Sequence, residues 1–294
     1  DLMENTDQCI LVTGKAGTGK STLLQFFLEN TAKQCVVLAP TGVAAVNVNG
    51  QTIHSIFGFP PRFIHEDSIR RRRNRKMIKR IDTVIIDEVS MVRADLMDGI
   101  DQALRINRDR PDEPFGGAQV LLFGDLFQLA PIVGQDLSGL YQEHYATPYF
   151  FSAHVFKEAA FLRIELTRIF RQSDDSFIGL LNRIRNNQCD DGDFSLLNSR
   201  VDRSIGDGPD QCVTLTATNY DARSLNQRRL ARLPGRLVEY EADIAEDFDE
   251  PSYPTDRMLR LKAGAQVMML KNDPQKRWVN GSIGVIRALV GSVI

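Results

Sequence analysis

Cysteine is scarce: four residues in 294, at Cys9, Cys35, Cys189 and Cys212, with no two close enough to read as a metal knuckle or redox pair. A disulfide scaffold is excluded, and reduced thiols in a reducing intracellular compartment are expected. No stretch approaches the roughly 18 uninterrupted apolar residues of a membrane helix, so no membrane partner is expected. An excess of one charge is lacking too. Thirty-six basic and 38 acidic side chains leave a net charge of −2, which advertises no polyanionic partner. That balance conceals two local fields, because Arg70 to Arg80 reads RRRRNRKMIKR while Glu239 to Asp256 is acidic. The arginine run reads either as a solvated helix face or as a phosphate-tracking surface.

What is present is an alternation. Cys9–Val12, Cys35–Leu38, Thr83–Ile86 and Gln119–Phe123 are short runs apolar on both faces, as buried parallel strands are. Between them lie segments of helical period, Ser21–Glu29 and Val92–Leu104. Strand and helix in turn predict a parallel sheet covered on both sides. Phe161–Leu166 is expected as the last strand of the first domain, with the hinge near Leu166. A second block follows: helices at Ser176–Arg185 and Tyr220–Ala231, and strands at Val213–Thr216, Ala265–Leu270 and Gly284–Ile286. Pro234-Gly235, the acidic stretch and Pro251 to Pro254 mark a loop-rich passage.

Directly after the first strand, Gly14-Lys15-Ala16-Gly17-Thr18-Gly19-Lys20-Ser21 matches G-x-x-x-x-G-K-[ST] and opens a helix. Glycines let the backbone N–H groups of Gly14 to Thr22, Ala16 and Thr18 among them, curl toward the β- and γ-phosphates of a nucleotide. Lys20 supplies positive charge, and the Ser21 hydroxyl is suited to Mg²⁺. A cradle of this kind needs a carboxylate at the end of another buried strand, and Asp87-Glu88 follows Thr83–Ile86. Asp87 is expected to hold Mg²⁺ and Glu88 to orient and deprotonate the attacking water. Gln128, after the strand that ends in Gly124-Asp125, is either a γ-phosphate sensor or a polar turn residue. Thr41, Gly42, His54 and Ser55 are expected on loops after strands, with Phe57 and Phe59 following at once. His65, His144 and His154 have no ligand-like partners nearby in sequence.

These motifs, with Ala39 to Ala45, Thr52 to Gly58 and Leu166 to Gln172, resemble the Pif family of superfamily-one DNA helicases, relatives of RecD. The order DEVSM (Asp87 to Met91), GDLFQL (Gly124 to Leu129), FRQ (Phe170 to Gln172) and FIGLLNRIR (Phe177 to Arg185) is much narrower than a generic phosphate loop. Ala217 to Asn219 with Asn226, Gly264 to Met269, Lys271 to Asp273 and Val279 to Gly281 continue the likeness. The resemblance implies an α/β P-loop NTPase of tandem RecA-like domains with parallel sheets flanked by helices. Residues 1–165 would form the first domain, with a small wedge at 58–80, and residues 166–294 a partial second domain.

It further implies ATP and Mg²⁺ as cofactors and ATP-driven 5′ to 3′ movement on single-stranded or forked DNA. Repair, recombination or telomere upkeep, in cytoplasm, nucleoid or nucleus, are the implied settings. Arg171 then looks like an arginine finger reaching from the second domain, Thr41, Gly42, His54 and Ser55 like residues facing the DNA strand, and Phe57 and Phe59 are either stacking platforms for bases or core. The family's adenine-contacting glutamine segment should precede the first strand, where only Asp1 to Gln8 stand. Its histidine-lysine-serine-glutamine-glycine and final alanine-leucine-serine-arginine segments do not occur before Ile294, so a truncated second domain with feeble turnover is expected. A DNA-independent nucleotide switch and a non-catalytic nucleic-acid-binding fragment are the alternatives.

Overall fold

The structure is a computed structural model that describes residues 1–60, 62–134, 138–172, 174–201, 212–244, 255–270, 273, 275, 277–278 and 281–290. The described chain divides into two compact units, Asp1–Gln188 and Cys189–Ile294.

The first unit is built on six parallel strands in the order β3-β2-β4-β5-β1-β6: β1 (Cys9–Gly14), β2 (Cys35–Ala39), β3 (Gln51–Thr52), β4 (Thr83–Ile86), β5 (Gln119–Gly124) and β6 (Phe161–Leu166). Helices α1 (Leu2–Asn5), α2 (Lys20–Asn30), α3 (Gly42–Asn47), α4 (Ile53–Phe57), α5 (Arg75–Ile78), α6 (Ala94–Arg108), α7 (Ser138–His144) and α8 (Asp175–Arg185) belong to the same unit. Side chains alternate across each strand, so an unbroken apolar run feeds two cores at once. Val84, Ile86, Val120 and Leu122 pack with Leu96, Met97, Ile100 and Leu104 of α6. Ile85, Leu121 and Phe123 pack with Ile10, Val12 and with Leu24 and Phe27 of α2 on the other face. Each fully buried aliphatic here contributes about 1.5–3 kcal/mol. A charge at Ile85 would place an ion in the apolar second core, at a large desolvation cost.

Because all six strands run the same way, the loops after β1, β2, β4, β5 and β6 leave one edge of the sheet, the edge where open α/β sheets bind ligands. The register fixes their neighbours: Gly14 pairs with Leu166, Thr13 with Gly124 and Leu38 with Ile86.

The division at Gln188 lies beyond the boundary expected at Glu165, since the segment after β6 folds back on the first unit. Phe170 N–H donates to the Gly17 carbonyl at 2.8 Å, and Arg185 pairs with Asp125 at 2.6 Å. The second unit holds α9 (Asp191–Asn198), α10 (Asn219–Arg232) and two antiparallel ribbons. One ribbon pairs β7 (Val238–Glu241) with β8 (Met258–Leu261), and the other β9 (Gln266–Met268) with β10 (Ile283–Val285). Parallel pairing needs a crossover, usually a helix. Among the described residues none separates these strands, so the parallel sheet expected for a second domain is not seen there. A small core of Leu261, Ala265 and Ile286, with Leu230, Leu233, Tyr240 and Leu259 against it, closes the unit. Val213–Thr216 is not a strand: among the described residues no strand pairs with it, and Leu215 is 91% exposed. Pro251 to Pro254, Lys271-Asn272 and Val279-Asn280 lie outside the described residues.

Candidate active site

The loop after β1 is shaped by two left-handed glycines, Gly17 (φ 77°) and Gly19 (φ 89°), the second standing as the N-cap of α2. Gly19 offers no side-chain cap, so the first-turn amides of this 11-residue helix are left for an anion. Thr18, nearly buried, donates its hydroxyl to the Lys15 carbonyl at 2.8 Å and stiffens the loop. The Lys20 ammonium folds over the cradle, donating to the Gly14 and Lys15 carbonyls at 2.7 and 3.2 Å. Burial pushes its pKa down, against the opposing pull of Asp125, Glu88 and Asp87. Ser21 and Thr22 expose their hydroxyls on the first turn.

Asp87 and Glu88 follow β4 directly. The Asp87 amide donates to the Leu38 carbonyl at 2.9 Å, which continues the β2–β4 pairing up to the carboxylate. Burial raises the pKa of both carboxyls, and for Glu88 the neighbouring Asp87 charge raises it further. Glu88 stands at φ 51°, a left-handed conformation that glutamate adopts only when its surroundings impose it.

After β5 the chain turns at Asp125, a carboxylate only 1% exposed that accepts from three directions. Phe127 N–H reaches it at 3.1 Å, the Gln128 side-chain amide at 3.0 Å and an Arg185 guanidinium nitrogen at 2.6 Å. Burial pushes the Asp125 carboxyl up, but the Arg185, Gln128 and Phe127 bonds outweigh it and hold it below the ordinary value. The Arg185 guanidinium also lies 4.1 Å from the centre of the exposed Phe127 ring. Neither Asp125 nor Arg185 was singled out from sequence, although both sit in quoted motifs. The one available signal was an acidic residue at a strand end three positions before a candidate sensor.

The FRQ segment runs along the cradle. A Cβ built on Gly17 would lie 2.6 Å from the Arg171 Cβ, and the Arg171 side chain is exposed. Lys20, Asp87, Glu88, Gln128 and Arg171 therefore converge on one edge of the sheet. Arg171 itself stands in the first compact unit.

The nucleic-acid set is corrected in part. Thr41 does lie on the loop after β2, where it caps α3 by accepting from Ala44 N–H at 3.2 Å, but Gly42 begins that helix, and His54 and Ser55 stand in α4 and are not loop residues. Phe57 is 4% exposed and stacks on buried Phe59 at 5.4 Å, so both rings are core and Phe57 offers no face to a base. His54 is half-buried; burial, then the Arg93 charge, lower its pKa, and the neutral imidazole is favoured. In the arginine run, Arg71, Arg75 and Lys79 all converge on Asp109 beyond the end of α6. His65, His144 and His154 lie against the rings of Phe63 and Tyr145. Among the described residues no three His, Cys, Asp or Glu side chains cluster as a metal site, all four cysteines are unbridged, and no helix is long and apolar enough to cross a membrane.

Comparison with known proteins places these features in a family. Residues 1–193 match the family model described as PIF1-like helicase, and residues 250–289 that of the 2B domain of DNA helicase Pif1. The chain is 33% identical over 290 residues to the ATP-dependent DNA helicase PIF1 of Homo sapiens, covering 95% of this chain and 44% of that protein. It is 33% identical over 308 residues to the ATP-dependent DNA helicase RRM3 of Saccharomyces cerevisiae, covering 94% and 39%. It thus spans less than half the length of these relatives. Among solved structures, Bacteroides Pif1 bound to ssDNA superposes with TM-score 0.80 at 39% identity, covering 96% of this chain and 66% of that one. Bacteroides Pif1 in complex with ADP-AlF3 and ssDNA gives 0.81 at 39%, covering 98% and 68%. With its α/β fold of RecA-like, P-loop type and this pattern of matches, the chain belongs to the PIF1-like helicase family.

Proposed function

We propose that the protein to which this chain belongs is an ATP-dependent DNA helicase that moves 5′ to 3′ on single-stranded DNA and opens forks. The observation that carries the reading is the convergence of Lys20, Asp87, Glu88, Gln128 and Arg171 around one cradle at the carboxyl edge of the sheet. The relatives named as ATP-dependent DNA helicases support it, as do the Bacteroides structures titled with ssDNA and ADP-AlF3.

In this reading the ATP phosphates take the α2 amides, and Lys20 exchanges the Gly14 and Lys15 carbonyls for phosphate oxygens. Glu88 accepts a proton from the attacking water, and its raised pKa brings it nearer the working pH of a general base. Gln128 orients that water or a γ-phosphate oxygen. Arg171 sets positive charge against the transferring group, an effect of about 10³ to 10⁵ in rate, or roughly 4–7 kcal/mol. Mg²⁺ fits the donors available: the exposed Ser21 hydroxyl and the Asp87 carboxylate are hard oxygens, and burial of two adjacent carboxyls favours a cation beside them. When bound, Mg²⁺ supplies neutralising charge to the phosphate oxygens.

Thr41, Gly42, His54 and Ser55 form the DNA-facing set, joined by the Ala39–Thr52 pairing of β2 and β3. Gly58 to Arg80 is the wedge, pinned by Asp109. Such a motor acts where DNA is kept, in nucleus or nucleoid, and repair, recombination and telomere upkeep are the processes it suits. Turnover of ATP by the whole protein, with and without single-stranded DNA, tests the reading. Stimulation by DNA is expected. Unstimulated turnover would make it a nucleotide switch, and DNA binding without turnover a non-catalytic module.

A further inference from the structure

Asp125 makes no contact with a nucleotide in the reading above, yet it is the most enclosed carboxylate at the site, and every bond it accepts comes from a group with another task. Gln128 donates one amide hydrogen to it at 3.0 Å, which decides which end of that amide faces the carboxylate and which is left for the cradle. Arg185, 60 residues away on α8, holds the same oxygen at 2.6 Å with its side chain mostly covered. The same guanidinium lies on the Phe127 ring, so one side chain grips both Asp125 and Phe127 of the turn that carries Gln128. Charge-assisted bonds of this length are among the stronger positioning contacts, and here burial on both sides limits screening.

We propose that Arg185 is a positioning residue of the ATP reaction, acting through Asp125 to hold the Gln128 amide in its working orientation. The inference rests on the ATP-hydrolysing reading. Among the described residues the Arg185 side chain bonds Asp125 and lies on Phe127, and its charge acts on Lys20 only through space, so its loss leaves the phosphate-binding amides and the Lys20 bonds to Gly14 and Lys15 in place. Nucleotide affinity should persist while the chemical step slows. A displacement of about 1 Å in a group that orients reactants can cost about 10²-fold.

The test is a double-mutant cycle in the whole protein, reading kcat for ATP with single-stranded DNA and, separately, the Kd of a non-hydrolysable ATP analogue. Arg185→Met keeps an apolar stem over Phe127 and removes the charge. It should lower kcat by about 10- to 100-fold with Kd changed less than about threefold. Arg185→Lys, which restores a point charge without the planar fork, should recover part of the loss. Combining Arg185→Met with Gln128→Ala should fall no further than Gln128→Ala alone, because both changes remove one function. Multiplied effects, or unchanged kcat in folded Arg185→Met, would overturn the proposal while leaving the ATPase intact. Should Arg185→Met fail to fold, Asp125→Asn keeps the shape, loses the charge and carries the same cycle. A whole protein that hydrolyses no ATP would remove the underlying reading as well.

Discussion

The approach of Arg171 to Gly17 yields a prediction with an internal control. Gly17 and Gly19 share a left-handed backbone, at φ 77° and 89°. Their surroundings differ: a Cβ on Gly17 meets the Arg171 Cβ at 2.6 Å, whereas a Cβ on Gly19 meets nothing within 4 Å. Alanine at either position carries backbone strain of about 1–2 kcal/mol, offset by about 0.4–1 kcal/mol of lost unfolded-state freedom. Gly19→Ala should therefore destabilise by about 0–1.6 kcal/mol. Gly17→Ala adds the overlap, about 1–3 kcal/mol for a forced methyl group. At about 2–4 °C per kcal/mol for a unit of this size, the extra loss is roughly 2–12 °C. Thermal unfolding followed by circular dichroism reads both variants against the parent. In an Arg171→Gly background the excess should vanish, since no Cβ remains at 171 to be struck. Equal midpoints for Gly17→Ala and Gly19→Ala would refute the packing of the FRQ segment on the cradle.

Three further outcomes are expected. Lys20→Ala should abolish ATP turnover with little change in fold, because its bonds are only to loop carbonyls; a folded variant with parent turnover would defeat the cradle assignment. Glu88→Gln should bind ATP without cleaving it. In the parent, kcat should climb with pH through an acid limb above the ordinary glutamate value of about 4.3, because burial and Asp87 raise this group. The sign for stability is opposite: a carboxyl raised in the folded state costs stability when ionised and returns it as pH falls through its folded pKa. A kcat profile flat through mild acid would remove Glu88 as the base. DNA binding should weaken linearly in log affinity against log salt, with a slope of about −0.7 per phosphate gripped on a single strand. Titrations on unrelated single strands of equal length should agree, and a hundredfold spread among them would indicate base readout instead.

The strands of the first unit were legible because burial on both faces leaves an unbroken apolar run, and Thr83–Ile86 was bounded to the residue. The phosphate loop was legible because its spacing reflects backbone geometry. Two-residue β3 was not, since Gln51 and Thr52 are polar and too short for any period. Gly42 and His54 were expected on loops because their helices, of six and five residues, are shorter than the window in which periodicity shows. Phenylalanine reads the same in a core as on a stacking platform, so only burial decides for Phe57. Val213–Thr216 has strand composition but pairs with no strand among the described residues, and composition alone does not make a ladder. The Arg185–Asp125 pair joins residues 60 apart, a distance over which one sequence carries no pairing signal.

The place of β1 in the sheet also bears on how the chain is made. Its two neighbours are β5 and β6, so Cys9 lies beside Phe161 and Ile10 beside Leu121. Once synthesised, this strand must wait for residues 119 to 166 before both of its edges are covered. At about 5–20 residues per second the wait for β6 is roughly 8–30 s. Until β5 is made, both hydrogen-bonding edges of this largely apolar strand are open, and until β6 is made one remains so, a state prone to pair with a foreign chain. The nucleotide loop it carries is thus exposed early on the ribosome and shaped late, and slowing synthesis before residue 161 should raise aggregation more than slowing it afterwards.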